Sequence, residues 1–441
     1  MNLTINMDRL MRELRQLATF TDCPPTADSS LPEPARAVTR IVFTSRDLEA
    51  RVWLKHLAQS AGFSVRIDPI GNTFFRWQGS DPTLSAVGTG SHTDAIPHAG
   101  MYDGTVGVLG GLEAMRALKE AGFQPRRSIE TLLLTSEEPT RFGIGCLGSR
   151  LLGGVLDPDT ADALPDRLAE VEMRGTETNA EPGLTLQQVR TAAGFTGSLH
   201  DVKLSPDHYH AWVELHIEQG PLLERAGIKL GIVTNIAAPA SYRYVIEGIG
   251  GHAGALLMPD RRDALCAASE LVLSVEKHTL AANAASGSAN SVATVGTVGV
   301  HPGAVNSVPS RVTLMLDIRD TEVSRRDATM AALRADIAGL EARRGVRITE
   351  SQINADVPAV SNPHIVATLR EICTAEGMPY QDMVSRAYHD SSFMACIAPI
   401  AMIFIPCRAG VSHRPDEYAT PESIALGTRV LALTLARLAT E

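Results

Sequence analysis

The sequence lacks what would tie it to nucleic acid, to a disulfide frame or to a bilayer. Its 40 lysines and arginines are outnumbered by 50 aspartates and glutamates, for a formal charge of −10. No basic cluster breaks that balance, which excludes the electrostatic footprint of nucleic-acid binding. The six cysteines are scattered without CxxC spacing and read as reduced thiols. No apolar run approaches the roughly 20 residues a membrane span needs. Met1 to Asp8 has no basic stretch leading into an apolar one, so no signal peptide is expected. A cytoplasmic protein with no nucleic-acid or membrane partner is the expectation. What is present is ordinary for a globular enzyme: 441 residues, 44% hydrophobic and 20% charged, enough for one large domain and a smaller one.

The chemistry gathers where apolar runs end. Leu84 to Thr89 reads as a buried strand closed by glycines and leads into Gly90-Ser91-His92-Thr93-Asp94. Val106 to Ala121 carries a helical apolar stripe, so His92 and Asp103 fall between a strand and a helix. In open parallel sheets that rim is where ligands bind. Asp94 is placed to take the proton on the other ring nitrogen of His92, as carboxylates do behind metal-bound histidines. Ile129 to Thr135 is a second buried strand and ends in Ser136-Glu137-Glu138-Pro139. Adjacent carboxylates at a strand end point different ways, so one can ligate while the other handles a proton. Tyr209 to Leu215 delivers His216 in the same manner, and Ala398 to Ile405 leads to His413. The set favours a metal centre over a polar, glycine-rich loop. His98, His200, His208, His210, His278, His301 and His364 read as surface or capping groups, and Trp53, Trp77 and Trp212 as core.

Elsewhere the pattern predicts a helix over Asp8–Leu17, a Pro/Ser-rich loop from Cys23 to Pro34, and a helix from Ser45, its candidate cap, to Ala61. A connector follows over Leu156–Glu181. From about Ser241 the order becomes strand, helix, two strands, helix, strand, the ferredoxin-like module. After Pro358 the α/β character resumes. The predicted domains are 1–238 and 357–441, forming one catalytic domain, with 239–356 inserted.

With these pieces together, GSHTD and the later YDG, TSEEPTRF, ELHIEQGP, GGHAG, NSVP with DIRD, and VSHRPDEY, the chain resembles the hydantoinase/carbamoylase family of dinuclear metal amidohydrolases. The resemblance implies an α/β fold: an aminopeptidase-like catalytic domain with a mixed central sheet flanked by helices, plus the inserted ferredoxin-like (βαββαβ) lid or dimerisation domain. It implies two divalent metal ions per subunit, zinc or manganese, with cobalt or nickel possible. His92 and His216 then fall on one ion, Glu138 and His413 on the other, and Asp103 between them. Glu137 falls on the catalytic base. Gln219, His252, Asn306, Arg319 and His389 fall on substrate-contacting positions, with His252 and His389 candidates to stabilise an oxyanion and Arg319 a carboxylate-binding fork. In relatives the GGHAG histidine comes from the partner subunit, implying a homodimer through the inserted domain.

The family hydrolyses linear ureido C–N bonds. Within it the runs TSEEPTRFGIGCLGSRLL, GGHAGALLMP, SRAYHDSSFM and IFIPCRAGVSHRPDEY are most similar to members acting on ureidoglycolate. Members acting on allantoate or N-carbamoyl amino acids usually carry glycine where this chain has Tyr388. A tyrosine there removes pocket volume or adds a hydroxyl, favouring a small substrate. Three neutral histidines and two carboxylates around two dications leave a positive surplus that suits an anionic ureido acid. A carboxylate at position 216, as in a peptidase-type site, would reduce it.

Overall fold

The computed structural model describes residues 3–23, 36–169 and 183–441. The Pro/Ser-rich loop expected after Cys23 and the later part of the expected 156–181 connector lie outside them. The described residues form two compact units. One is Met1–Thr234 with Val360–Met383 and His389–Glu441, and the other is Asn235–Ala359 with Val384–Tyr388.

In chain order the first unit opens with α1 (Met7–Leu17), β1 (Val38–Arg40) and α2 (Ser45–Ser60). Ser45 is not the cap expected of it, because Thr44 holds that position without a side-chain bond. Asp47, one turn in, instead accepts the Phe43 N–H at 2.8 Å and pairs with Arg51. Next come β2 (Ser64–Ile67), β3 (Thr73–Trp77), β4 (Ala86–His92), β5 (Ala95–Ala99), α3 (Thr105–Glu120), β6 (Ile129–Leu134) and α4 (Leu147–Gly153). The pairing of β5 with β1 has no counterpart in the sequence reading; Pro97 and His98 break its apolar alternation. β7 (Tyr209–Ile217) and β8 (Gly231–Ile236) complete this stretch.

The second unit carries β9 (Ala238–Glu247), β10 (Gly251–His252), α5 (Ala264–Ser286), β11 (Val292–His301), β12 (Ser307–Val308), β13 (Arg311–Asp320), α6 (Val323–Arg344) and β14 (Arg347–Ala355). Its four long strands pair antiparallel in the order β11-β13-β9-β14. With the two intervening helices that is the ferredoxin-like arrangement the strand–helix rhythm predicts. Tyr242, Tyr244 and Ile246 alternate inward on β9, as do Val312, Leu314, Leu316 and Ile318 on β13, onto Leu271 of α5 and Leu333 of α6. Asp263 caps α5 by accepting the N–H groups of Leu265 and Cys266, worth about 1 kcal/mol.

The chain then returns through β15 (Ala359–Val360), α7 (Pro363–Ala375), β16 (Gln381–Ser385), β17 (Ile400–Ile405) and α8 (Pro421–Thr440). Among the described residues α8 alone is long and apolar enough to cross a membrane, and two-thirds of it is buried in the core. The first unit's large sheet runs β15-β8-β17-β7-β4-β6-β3-β2, with β16 also beside β8. Its middle, β17-β7-β4-β6, is parallel, and its flanks are antiparallel. The chain passes from β4 to β6 on one side and later returns to β7 on the other. The carboxyl ends around β4 therefore border the crevice where strand order reverses, the ligand-binding place in such sheets.

Candidate metal centre

Three parallel strands end in this crevice, and each brings a side chain to it. His92 is the last residue of β4, and His216 lies near the end of β7. Both are buried. Each ring is held the same way: His92 Nδ1 lies 2.9 Å from the Asp94 carbonyl oxygen and His216 Nδ1 2.9 Å from that of Ile217. A carbonyl can only accept, so the proton sits on Nδ1 and Nε2 faces the crevice as a potential ligand. This corrects the expectation for Asp94, whose backbone, not its carboxylate, orients His92. The carboxylate, 3.9 Å from Nδ1, instead accepts the N–H groups of Glu137 and Glu138 at 3.3 and 3.0 Å. It thereby holds the turn after β6, where Ser136 has φ +56°.

Asp103 stands at the centre. Its Oδ1 is 3.2 Å from His216 Nε2 and 3.9 Å from His92 Nε2, and its Oδ2 is 3.1 Å from His413 Nε2. His413 Nε2 is also 3.3 Å from Glu138 Oε1. Two triads result, His92–Asp103–His216 and Asp103–Glu138–His413, each with its potential ligand atoms within 4.8 Å of one another. Gly104 makes this possible: at φ +65° a side chain would place its Cβ 2.4 Å from His92 Nε2. Glu137, beside Glu138, has its Oε2 3.7 Å from His92 Nε2, and its Oε1 accepts from the Cys146 thiol at 3.4 Å.

The electrostatics describe a site built for cations. Burial raises the carboxyls of Glu137 and Glu138, Glu137 well above its usual range with Glu138's charge adding to the effect, and Glu138 to about 8. Asp103 goes the other way: against its burial, His216 and His413 hold it well below the ordinary value. His413 is in turn raised to about 9, chiefly by Asp103. Among the described residues no lysine or arginine pairs with Asp94, Asp103, Glu137 or Glu138; their ionic partners are imidazoles. Buried charge without a counterion costs several kcal/mol, and mixed imidazole–carboxylate donors suit divalent first-row metals. The residues present fit such ions.

His389 is buried with its ring 4.6 Å from that of His216. Gln219 donates through Nε2 to Asp103 Oδ2 (3.0 Å) and Ser412 Oγ (3.2 Å), leaving Oε1 a buried acceptor without a partner. The remaining expected residues belong to the second unit. His252, exposed on β10, pairs across to Ser307 and accepts the Gly254 N–H at Nδ1. The Asn306 carbonyl accepts the Ala253 N–H beside it. The Arg319 guanidinium is engaged by Asp317, 2.7 Å from Nε, so one edge of the expected fork is already taken. The Tyr388 hydroxyl donates to Asp356 Oδ2 at 2.7 Å.

Two buried carboxylates at this rim escape the sequence reading. Glu214 precedes His216 by two residues, on the same face of β7. It accepts from Ser91 Oγ (2.8 Å), next to His92, and from Ser391 Oγ (2.5 Å), next but one to His389. Its signal is a charge at an inward position of an apolar strand. Glu417, raised to about 7 by burial, lies in the same run as His413 and carries no local signal.

A family model for peptidase family M20/M25/M40 matches residues 88–437. The ureidoglycolate hydrolase of Oryza sativa subsp. japonica is 47% identical over 438 residues, covering 98% of this chain and 85% of that protein. A crystal structure of AtUAH in complex with glyoxylate is similar at 44% identity and a TM-score of 0.84, over 99% of this chain and 98% of that one. A hydantoinase/carbamoylase family amidase from Burkholderia multivorans is similar at 32% identity and a TM-score of 0.84, over the whole of both chains.

Proposed function

Since the chain belongs to peptidase family M20/M25/M40, and within it to the hydantoinase/carbamoylase amidases, we propose that it is a metal-dependent amidohydrolase cleaving the linear ureido C–N bond of ureidoglycolate. The observation that carries the reading is Asp103 reaching His216 with one oxygen and His413 with the other, flanked by His92 and Glu138. We assign His92 and His216 to one divalent ion, Glu138 and His413 to a second, and Asp103 to both, zinc or manganese being the candidates. When bound, such a pair polarises the scissile carbonyl and lowers the pKa of a nearby water toward about 7. That help is needed because two nitrogens feed electron density into a ureido carbon.

Glu137 takes the proton of the attacking water as its oxygen adds to the ureido carbon. It then hands that proton to the departing nitrogen as the C–N bond breaks; such transfer is typically worth about 10²–10⁴-fold. His389 and His252 are assigned to the oxyanion. Gln219, Asn306, Arg319 and Tyr388 are assigned to the polar groups of a small anionic substrate. Arg319 would do so only by exchanging Asp317 for the substrate carboxylate. We further propose a cytoplasmic homodimer assembled through the second unit.

A substrate panel on metal-reconstituted protein tests the assignment. Glyoxylate, ammonia and carbon dioxide from ureidoglycolate are expected. Preferential release of amino acids from N-carbamoyl substrates, or turnover of allantoate instead, would overturn the choice of substrate and leave the metal chemistry standing.

A further inference from the structure

Glu417 takes no part in the chemistry assigned above, yet it is fully buried and touches both segments that meet at Asp103. Its Oε1 accepts the N–H groups of Tyr102 and Asp103 at 2.9 and 3.1 Å. Its Oε2 accepts the Ser412 hydroxyl at 2.8 Å. A hydroxyl has one proton, and this shortest contact takes it, so Ser412 Oγ, 3.2 Å from Asp103 Oδ2, donates nothing to that oxygen. Gln219 Nε2 donates to both. The space is built for the carboxylate: a Cβ on Gly100 would lie 2.4 Å from the side chain of Glu417.

His413 needs such support. Its side chain is 47% exposed and its backbone sits at φ +59°, a conformation non-glycine residues keep only when their surroundings impose it. Its neighbour Ser412 is what Glu417 grips. We infer that Glu417 is a positioning residue, clamping the Tyr102–Asp103 backbone to the Ser412–His413 turn and so presetting the Glu138/His413 half of the centre for a divalent cation. This rests on the metal-dependent reading above. A carboxylate that merely satisfied two backbone N–H groups would matter for folding but would not favour one ion over the other.

The test is calorimetric titration of the metal-free full chain with Mn²⁺ and Zn²⁺, with Co²⁺ absorption as a second readout and thermal melting to verify folding. The wild type is expected to bind two ions. S412A and E417A should weaken one of them about 10–100-fold and leave the other within about two-fold, the range seen when outer partners of ligands are lost. E417Q, whose amide can accept the two backbone N–H groups and donate to Ser412 Oγ, should recover most of that affinity. If E417A does not fold, S412A decides alone. Unchanged binding by S412A, equal weakening of both ions, or an E417Q as weak as E417A overturns the inference. A wild-type chain that binds no ion overturns the proposed function as well, so the two failures are distinguishable.

Discussion

His92 and His216 reach the crevice from adjacent parallel strands, 3% and 1% exposed, each ring pinned by a backbone carbonyl. His413 reaches it from a loop, with its side chain 47% exposed and a left-handed backbone, its ring in contact with Asp103 and Glu138. One half of the candidate centre is therefore made rigid by the sheet, and the other by a hydrogen-bonded clamp. Strand ends supply rigidity through a ladder that is paid for by the whole fold, whereas a loop ligand depends on a few local contacts. The first half should tolerate little change. The second should be where affinity and exchange are tuned.

The largest expected effect lies outside that contrast and sharpens it by separating holding from reacting. Glu137→Gln should keep its full metal content and lose about 10²–10⁴-fold in turnover, measured as kcat alongside metal analysis of the same sample. Active, metal-replete protein would remove Glu137 from the role of base.

The contrast itself is broken or upheld by comparing His216→Ala with His413→Ala. The buried ligand leaves a dry gap, whereas water can reach the half-exposed one. His216→Ala should lose its ion by at least the 10–100-fold known for weaker, outer perturbations, and His413→Ala by less. Metal stoichiometry after dialysis reads this directly, and the reverse order would show that the loop, not the sheet, is the rigid half.

The smallest effect concerns protons. In the metal-free chain His413 is raised to about 9 from an ordinary value near 6.5. A group with a raised folded pKa contributes stability that is full below its unfolded value and is lost as pH climbs through the folded one. The metal-free protein should therefore melt slightly lower at pH 9.5 than at pH 6. His413→Ala should lessen that slope by a modest amount because the ring is half in solvent, the remainder coming from His216, which, against its burial, Asp103 raises to about 9. An unchanged slope in His413→Ala would place the titration elsewhere.

Much of the site was legible because each buried strand announces its own end. The strands before His92, Glu137 and His216 are buried almost throughout, although each carries a polar residue or two, as strands covered on both faces are, and a polar residue right after such a run has little choice but the rim. Asp94 was misread because sequence spacing cannot tell a backbone carbonyl from a carboxylate two residues away. Here the chain bends so that the carbonyl meets His92 and the side chain turns to the next strand's end. Arg319 was read as an open fork because its partner, Asp317, lies two residues earlier on the same face of β13. That geometry is visible in a strand but easily discounted as surface pairing.

By itself the sequence determined the chemistry's raw material: three histidines, an aspartate and a pair of glutamates, each set by local hydrophobic pattern at the end of a strand or the start of a loop. It also determined the strand–helix rhythm of the second unit, since period and turn chemistry are local properties. Only the tertiary structure decided that Asp103 would face both His216 and His413, and that Glu417, more than 300 residues from Asp103, would close behind it. Those relations depend on strand order and on which buried polar groups find partners. Both are settled when distant segments pack, because only then does an unpaired carboxylate or N–H become costly.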